Sequence, residues 1–207
     1  VIGTDLTVQL LVVRLLAGLV IATVHGAVIA AAAVALGDKG PRYDGRLTIL
    51  PPRHVSLLGL GSFILTGFGW GEPVAIDPRE LRIGRWGLVV AVLAGSAALL
   101  LLGFLLLLLA TPLLTLLDYT AGVTATAFVR EAAQLCVWIA LFSLVPIPPL
   151  AGGYFLTALG ISLPSKAATY LGWALLVVSV LGVTRIALTP AYNLVAPLVL
   201  GADIASS

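Results

Sequence analysis

The chain contains no methionine, one cysteine and two histidines in 207 residues, and 10% of its residues are charged. Soluble globular domains carry about 25% charge. Each scarcity excludes something. A lone Cys136 cannot form an intramolecular disulfide, and within Leu135-Cys136-Val137-Trp138 it reads as a small core hydrophobe. The net charge of +2, carried by residues dispersed among apolar runs, offers no basic surface for nucleic acid. What is abundant is apolar: 60% of residues are hydrophobic and the mean hydropathy is +1.16. This is the composition of an integral membrane protein.

Val1 is not an initiator, so the sequence is expected to begin after processing or after a preceding stretch. The first apolar run, from about Leu6 to Leu36, contains Arg14 and His25 and is far longer than the roughly 7 to 15 residues of a signal core. It reads as a retained spanning helix. A second span is expected from Trp86 to Leu109, continuing toward Leu117, with Pro112 bending or ending it. A third runs from Ala132 to Pro146, where Pro146, Pro148 and Pro149 stop it. No Asp or Glu falls within these expected spans, which argues against a serine triad. A fourth begins after Lys166 and reaches about Leu188, before Pro190 and Asn193 break the pattern. The short stretch Leu194 to Leu200 is left as a spanning or interfacial segment. The expected fold is all-α, with about four transmembrane helices.

Between the first two spans lies an unusual segment. Residues 37–85 hold seven of the eleven basic residues, Lys39, Arg42, Arg46, Arg53, Arg79, Arg82 and Arg85. Their middle, Val55 to Trp70, is apolar and carries Gly59, Gly61, Gly67 and Gly69. A crossing there would split the cations between the two sides, against the positive-inside rule. A re-entrant or membrane-edge hairpin keeps them together, and its irregular backbone must then be packed on protein. The loop 37–85 is accordingly expected in the cytoplasm, with Arg130 on the opposite side and Lys166 again on the cytoplasmic one. His54 is expected at the interface, and Trp86 beside Arg85 as an interfacial anchor. Arg14 and Arg185 are expected either to snorkel to the interface or to pair with an acidic group or a lipid headgroup. Trp138 and Trp173 could face lipid, pigment or another subunit. Ala30 to Ala33 and Gly95 to Ala98 allow close helix approach.

The motif that carries chemistry is incomplete. His25-Gly26-Ala27-Val28-Ile29 stands where a zinc protease would have His-Glu-x-x-His, two imidazoles one turn apart with a general-base Glu between them. Gly45-Arg46-Leu47-Thr48-Ile49-Leu50-Pro51, His54, Gly67-Phe68-Gly69-Trp70 with Pro73-Val74, Ala94-Gly95 and Pro146-Ile147-Pro148-Pro149-Leu150-Ala151-Gly152-Gly153 follow in order. In this order the chain resembles the site-2 protease family of intramembrane zinc metalloproteases, in its compact bacterial form. The resemblance covers residues 18–155, leaving 156–207 as a C-terminal helix and tail within a single membrane domain, 1–207.

By that resemblance His25 matches the first zinc ligand, Gly26 the general base, Ile29 the second ligand and Ala151 the third, an Asp in the family. Ser143 stands in place of an Asn, and Leu50 and Ser56 in place of an Asn and an Asp. A catalytic zinc needs three protein ligands and an open position. The expectation is therefore a non-enzyme, a pseudoprotease without metal or other cofactor. His25 is expected to hydrogen-bond a carbonyl of a neighbouring helix or of the hairpin, with a metal or cofactor contact as the other reading. The expected role is an accessory, structural or assembly subunit of a larger membrane complex, in a bacterial inner membrane. It would contact partner subunits and lipids through its helices and re-entrant segment, and no nucleic acid. The alternatives are a free regulatory pseudoprotease that captures membrane substrates, and a residual zinc metalloprotease.

Overall fold

The computed structural model describes residues 7–161 and 163–201. Leu6, at the start of the first expected span, and the outer ends of the 1–207 and 156–207 divisions lie outside the described residues. The protein is all-helical, with no strand among the described residues and four helices long and apolar enough to cross a membrane.

α1 spans Val8–Ala35 and starts at a true cap, where the Thr7 hydroxyl accepts from the Leu10 amide at 3.2 Å. At 1.5 Å per residue it is about 42 Å long, ample for a hydrocarbon core of about 30 Å. α2, Gly40–Tyr43, is a single turn after the Gly37 bend. α3, Leu57–Thr66, is a short apolar helix that forms one limb of the hairpin. The chain returns from it in extended form, paired only through an isolated bridge between Val55 and Gly71. The expected hairpin against the helices is therefore present, with a helical descending limb. Its limbs touch so closely that a Cβ on Gly59 would lie 2.0 Å from the Trp70 carbonyl oxygen. No residue other than glycine fits there.

α4, Trp86–Leu108, runs antiparallel to α1 and continues into α5, Ala110–Leu116, as one span. Pro112 falls in the first turn of α5, where its missing amide costs little. α6 occupies Tyr119–Ser143, so it starts well before the expected Ala132 and includes Arg130 and Glu131. The expectation that no acidic residue enters a span is corrected by Glu131. A search for uninterrupted apolar sequence stops at Arg130-Glu131, whereas the helix continues because it pairs with the long α4–α5 span. α7 is Gly153–Ala158.

The fourth span also differs from expectation. The run from Lys166 to Leu188 is divided by Gly182, whose φ of 77° is left-handed. α8 is therefore Ser165–Val180 and short, and the fourth spanning helix is α9, Val183–Leu200, with Pro190 and Pro197 inside it. Prolines are tolerated in a membrane helix where neighbours take up the freed carbonyls. Leu194 to Leu200 is the end of α9 and not a separate segment.

The core lies where α1, α3, α6 and α9 meet. Phe68 meets both Trp138 and Phe142 edge-on at centroid distances of 5.5 Å, and Trp138 stacks on Tyr192 at 4.0 Å. Trp138 is thus a buried core residue rather than one facing lipid, pigment or a subunit, while Trp173 is 56% exposed. Cys136 is buried, as expected.

Candidate functional site

A cleft opens between α1, the hairpin and the proline-rich turn after α6. It is lined by His25, Gly26 and Ile29 from α1, by Val55 and Gly59 from the hairpin, by Glu72 and Val74 from its return limb, and by Ser143, Ala151 and Tyr154 beyond. The fold therefore brings His25, Gly26, Ile29, Ser143 and Ala151, which the sequence separates by more than a hundred residues, to one place. Arg46 holds the hairpin in shape, donating from its guanidinium to the carbonyls of Arg53, Glu72 and, at 3.0 Å, Pro73. Asp38 fixes the base of the segment: its buried carboxylate accepts from the amides of Gly40 and Asp77, both at 2.8 Å.

His25 lies in the cleft with its Nε2 buried and without a hydrogen-bond partner, so the expected carbonyl contact at that nitrogen is not made. Its ring packs on Gly95 of α4, where a Cβ would lie 3.1 Å from Nε2. The small residues of α1 and α4 thus serve internal packing. Ser143 shares a 3.0 Å hydrogen bond with Ser96 of α4 and donates to the Ala140 carbonyl at 2.9 Å.

His54 departs from expectation. It is fully buried instead of interfacial, with Nε2 2.8 Å from the Thr48 carbonyl. That nitrogen must donate, which leaves Nδ1 as a bare acceptor facing Gly26. Burial holds the His54 imidazole below its ordinary basicity, opposed by the Thr48 bond and assisted by the Arg46 charge. The Tyr154 phenol donates to the Val74 carbonyl, and burial pushes its pKa up to about 12. Glu72 and Tyr154 carried no signal in the sequence reading. Glu72 follows the Gly-Phe-Gly-Trp-Gly turn immediately, and that adjacency is the one cue that could have found it.

These residues do not fit a zinc ion. Among the described residues no three His, Cys, Asp or Glu side chains gather to hold a metal. Position 26 has no side chain, position 29 is aliphatic, and position 151 is methyl-bearing.

No protein-family model and no solved structure matches the chain. One curated protein does: over 135 residues the chain is 33% identical to the Bacillus subtilis (strain 168) protein named "Putative zinc metalloprotease YwhC". The match covers 63% of this chain and 61% of that protein, so the chain spans about three fifths of its relative's length. The expectation of a non-enzyme is corrected by this likeness, because the relative's name points to a protease. This chain is an all-helical membrane protein related to a bacterial protein that bears a zinc-metalloprotease name.

Proposed function

We propose that this protein is a site-2-protease-like membrane protein that receives a membrane-embedded polypeptide segment in the cleft beside His25. The observation that carries the reading is the buried, unpartnered His25 Nε2 at a cleft lined mostly by apolar residues. A polar atom withdrawn from water without a partner costs free energy, and a bound polypeptide backbone supplies the missing hydrogen bond. Residues 18–155 form the binding core. The basic loop 37–85 is assigned to the cytoplasmic side of a bacterial inner membrane by the positive-inside rule. Other membrane proteins, held in an assembly with this chain, are the source of the segment.

The test is a photocrosslinking amino acid at Val55 or Ala22, both on the cleft, in native membranes. Crosslinks to membrane-spanning polypeptides support the reading. Crosslinks to lipid alone would sink it.

Proteolysis is the second reading, favoured by the name of the Bacillus relative. His25, Glu72 and Tyr154 are the ionisable groups lining the cleft. Cleavage of a captured segment that H25A or E72Q abolishes would establish it, and cleavage unchanged in both variants would show that these residues do not carry it.

A further inference from the structure

Away from the cleft, three helices bring charged residues to one level. Arg14 on α1 lies about 31 Å along the axis from Ala35 at 1.5 Å per residue, close to the full apolar thickness of a bilayer. Ala35 adjoins the basic loop 37–85, so Arg14 lies at the opposite face. Glu131 of α6 and Arg185 of α9 are within electrostatic reach of Arg14. They share a level for an independent reason. The Arg185 guanidinium lies over the ring of Trp138, two turns beyond Glu131 on α6, and Arg14 and Leu135, one turn beyond Glu131, both lie within 4 Å of a Cβ placed on Gly67. Arg130 adjoins Glu131 and is exposed.

The charges at this level do not cancel. Two guanidinium groups, Arg14 and Arg185, act on the neighbourhood of one carboxylate, Glu131, with the exposed Arg130 next to it in sequence, and the only ion pair among the described residues is Arg79 with Asp77, in the loop at the other face. Arg14 is held in place, donating to the carbonyls of Ile64 and Leu65 at 3.3 and 3.0 Å, where it caps the end of α3. Its Nε is nevertheless buried without a partner. The Arg185 guanidinium lies over the Trp138 ring at 5.2 Å, which fixes its position while its side chain remains exposed. Excess, pre-positioned guanidinium at the depth of the headgroups is the chemistry that recognises phosphate.

We propose that Arg14, Arg130 and Arg185 form a binding site for a phosphate-bearing anion, the headgroup of an anionic lipid, at the face opposite the basic loop. The site is independent of the cleft and of the function proposed for it.

The test uses the detergent-purified full chain, with short-chain phosphatidylglycerol, short-chain phosphatidylcholine and inorganic phosphate as probes, read by native mass spectrometry and thermal shift. Phosphatidylglycerol is expected to bind and phosphatidylcholine to bind more weakly. Arg185→Gln is expected to weaken the phosphatidylglycerol adduct about tenfold. Glu131→Gln, which removes the competing carboxylate, is expected to strengthen it. Competition by inorganic phosphate at millimolar concentration would identify free phosphate as a ligand of the same site, and its failure to compete would identify the lipid. Equal binding of the two lipids, or an adduct unchanged in both variants, overturns the proposal. The comparison of lipids on wild-type protein decides the matter even if a variant does not fold.

Discussion

The imidazole of His54 occupies the volume that a side chain at position 26 would need. A Cβ on Gly26 would lie 2.6 Å from His54 Nδ1 and 3.2 Å from its Cγ. Gly26 is therefore a packing partner of a buried ring. Gly26→Ala should destabilise the protein by about 1 to 3 kcal/mol through overpacking. In a His54→Ala background the same change should cost much less. A double-mutant cycle on detergent unfolding measures the coupling, and additive effects would show that the two residues do not compete for space.

His54 also gives the fold a pH dependence. Its folded-state basicity lies below the ordinary value of 6.5, so the unfolded chain binds the proton more readily. Stability should be fully present above about pH 6.5 and fall as the pH drops through and below that value. In His54→Gln the dependence on this side should flatten. Thermal unfolding in mild detergent between pH 7.5 and 5 checks it, and an unchanged slope in the variant would refute the assignment.

The hairpin separates two glycines that look alike in sequence. A Cβ at Gly59 meets the Trp70 backbone, whereas one at Gly61 meets nothing within 4 Å. Gly59→Ala should abolish the folded hairpin, with a loss of several kcal/mol. Gly61→Ala should be neutral or stabilise by up to about 1 kcal/mol, because alanine loses less conformational freedom in a helix. Proteolytic susceptibility of residues 45–80 reads both.

The Asp38 carboxylate ties Gly40 to Asp77 and so joins the two ends of the basic segment. Asp38→Ala leaves both amides without that acceptor and should cost about 1 to 3 kcal/mol. Amide exchange should rise at Gly40 and Asp77 together. A rise at one alone would mean that the carboxylate does not couple them.

Much of the fold was legible from residues because the membrane imposes simple rules. The Leu-rich run after Trp86 and the Ala-rich run around His25 could be nothing but long helices, and the clustered cations of 37–85 demanded a hairpin. The errors fell where tertiary partners override local pattern. Glu131 looks like the outside of a span by hydropathy, yet α6 passes through it alongside α4–α5. Pro190 looks like a helix end, yet α9 continues past it and the true break is the left-handed Gly182. His54, flanked by Arg53, reads as interfacial, yet the hairpin folds it inward against Gly26. At the cleft, the sequence supplied His25, Gly26, Ile29, Ser143 and Ala151, while Glu72 and Tyr154 became visible only when the return limb and α7 were in place.

The sequence by itself determined that the chain belongs in a membrane, that it crosses as helices, and that His25 is the one imidazole in His25-Gly26-Ala27-Val28-Ile29. Those properties reside in residue type, and no packing can add a donor atom that the chain lacks. Tertiary structure alone decided that His25 Nε2 is buried without a partner, that the His54 ring fills the space beside Gly26, and that Arg14, Arg130 and Arg185 share a level. Each of these depends on which helix faces which across distances that local sequence does not encode.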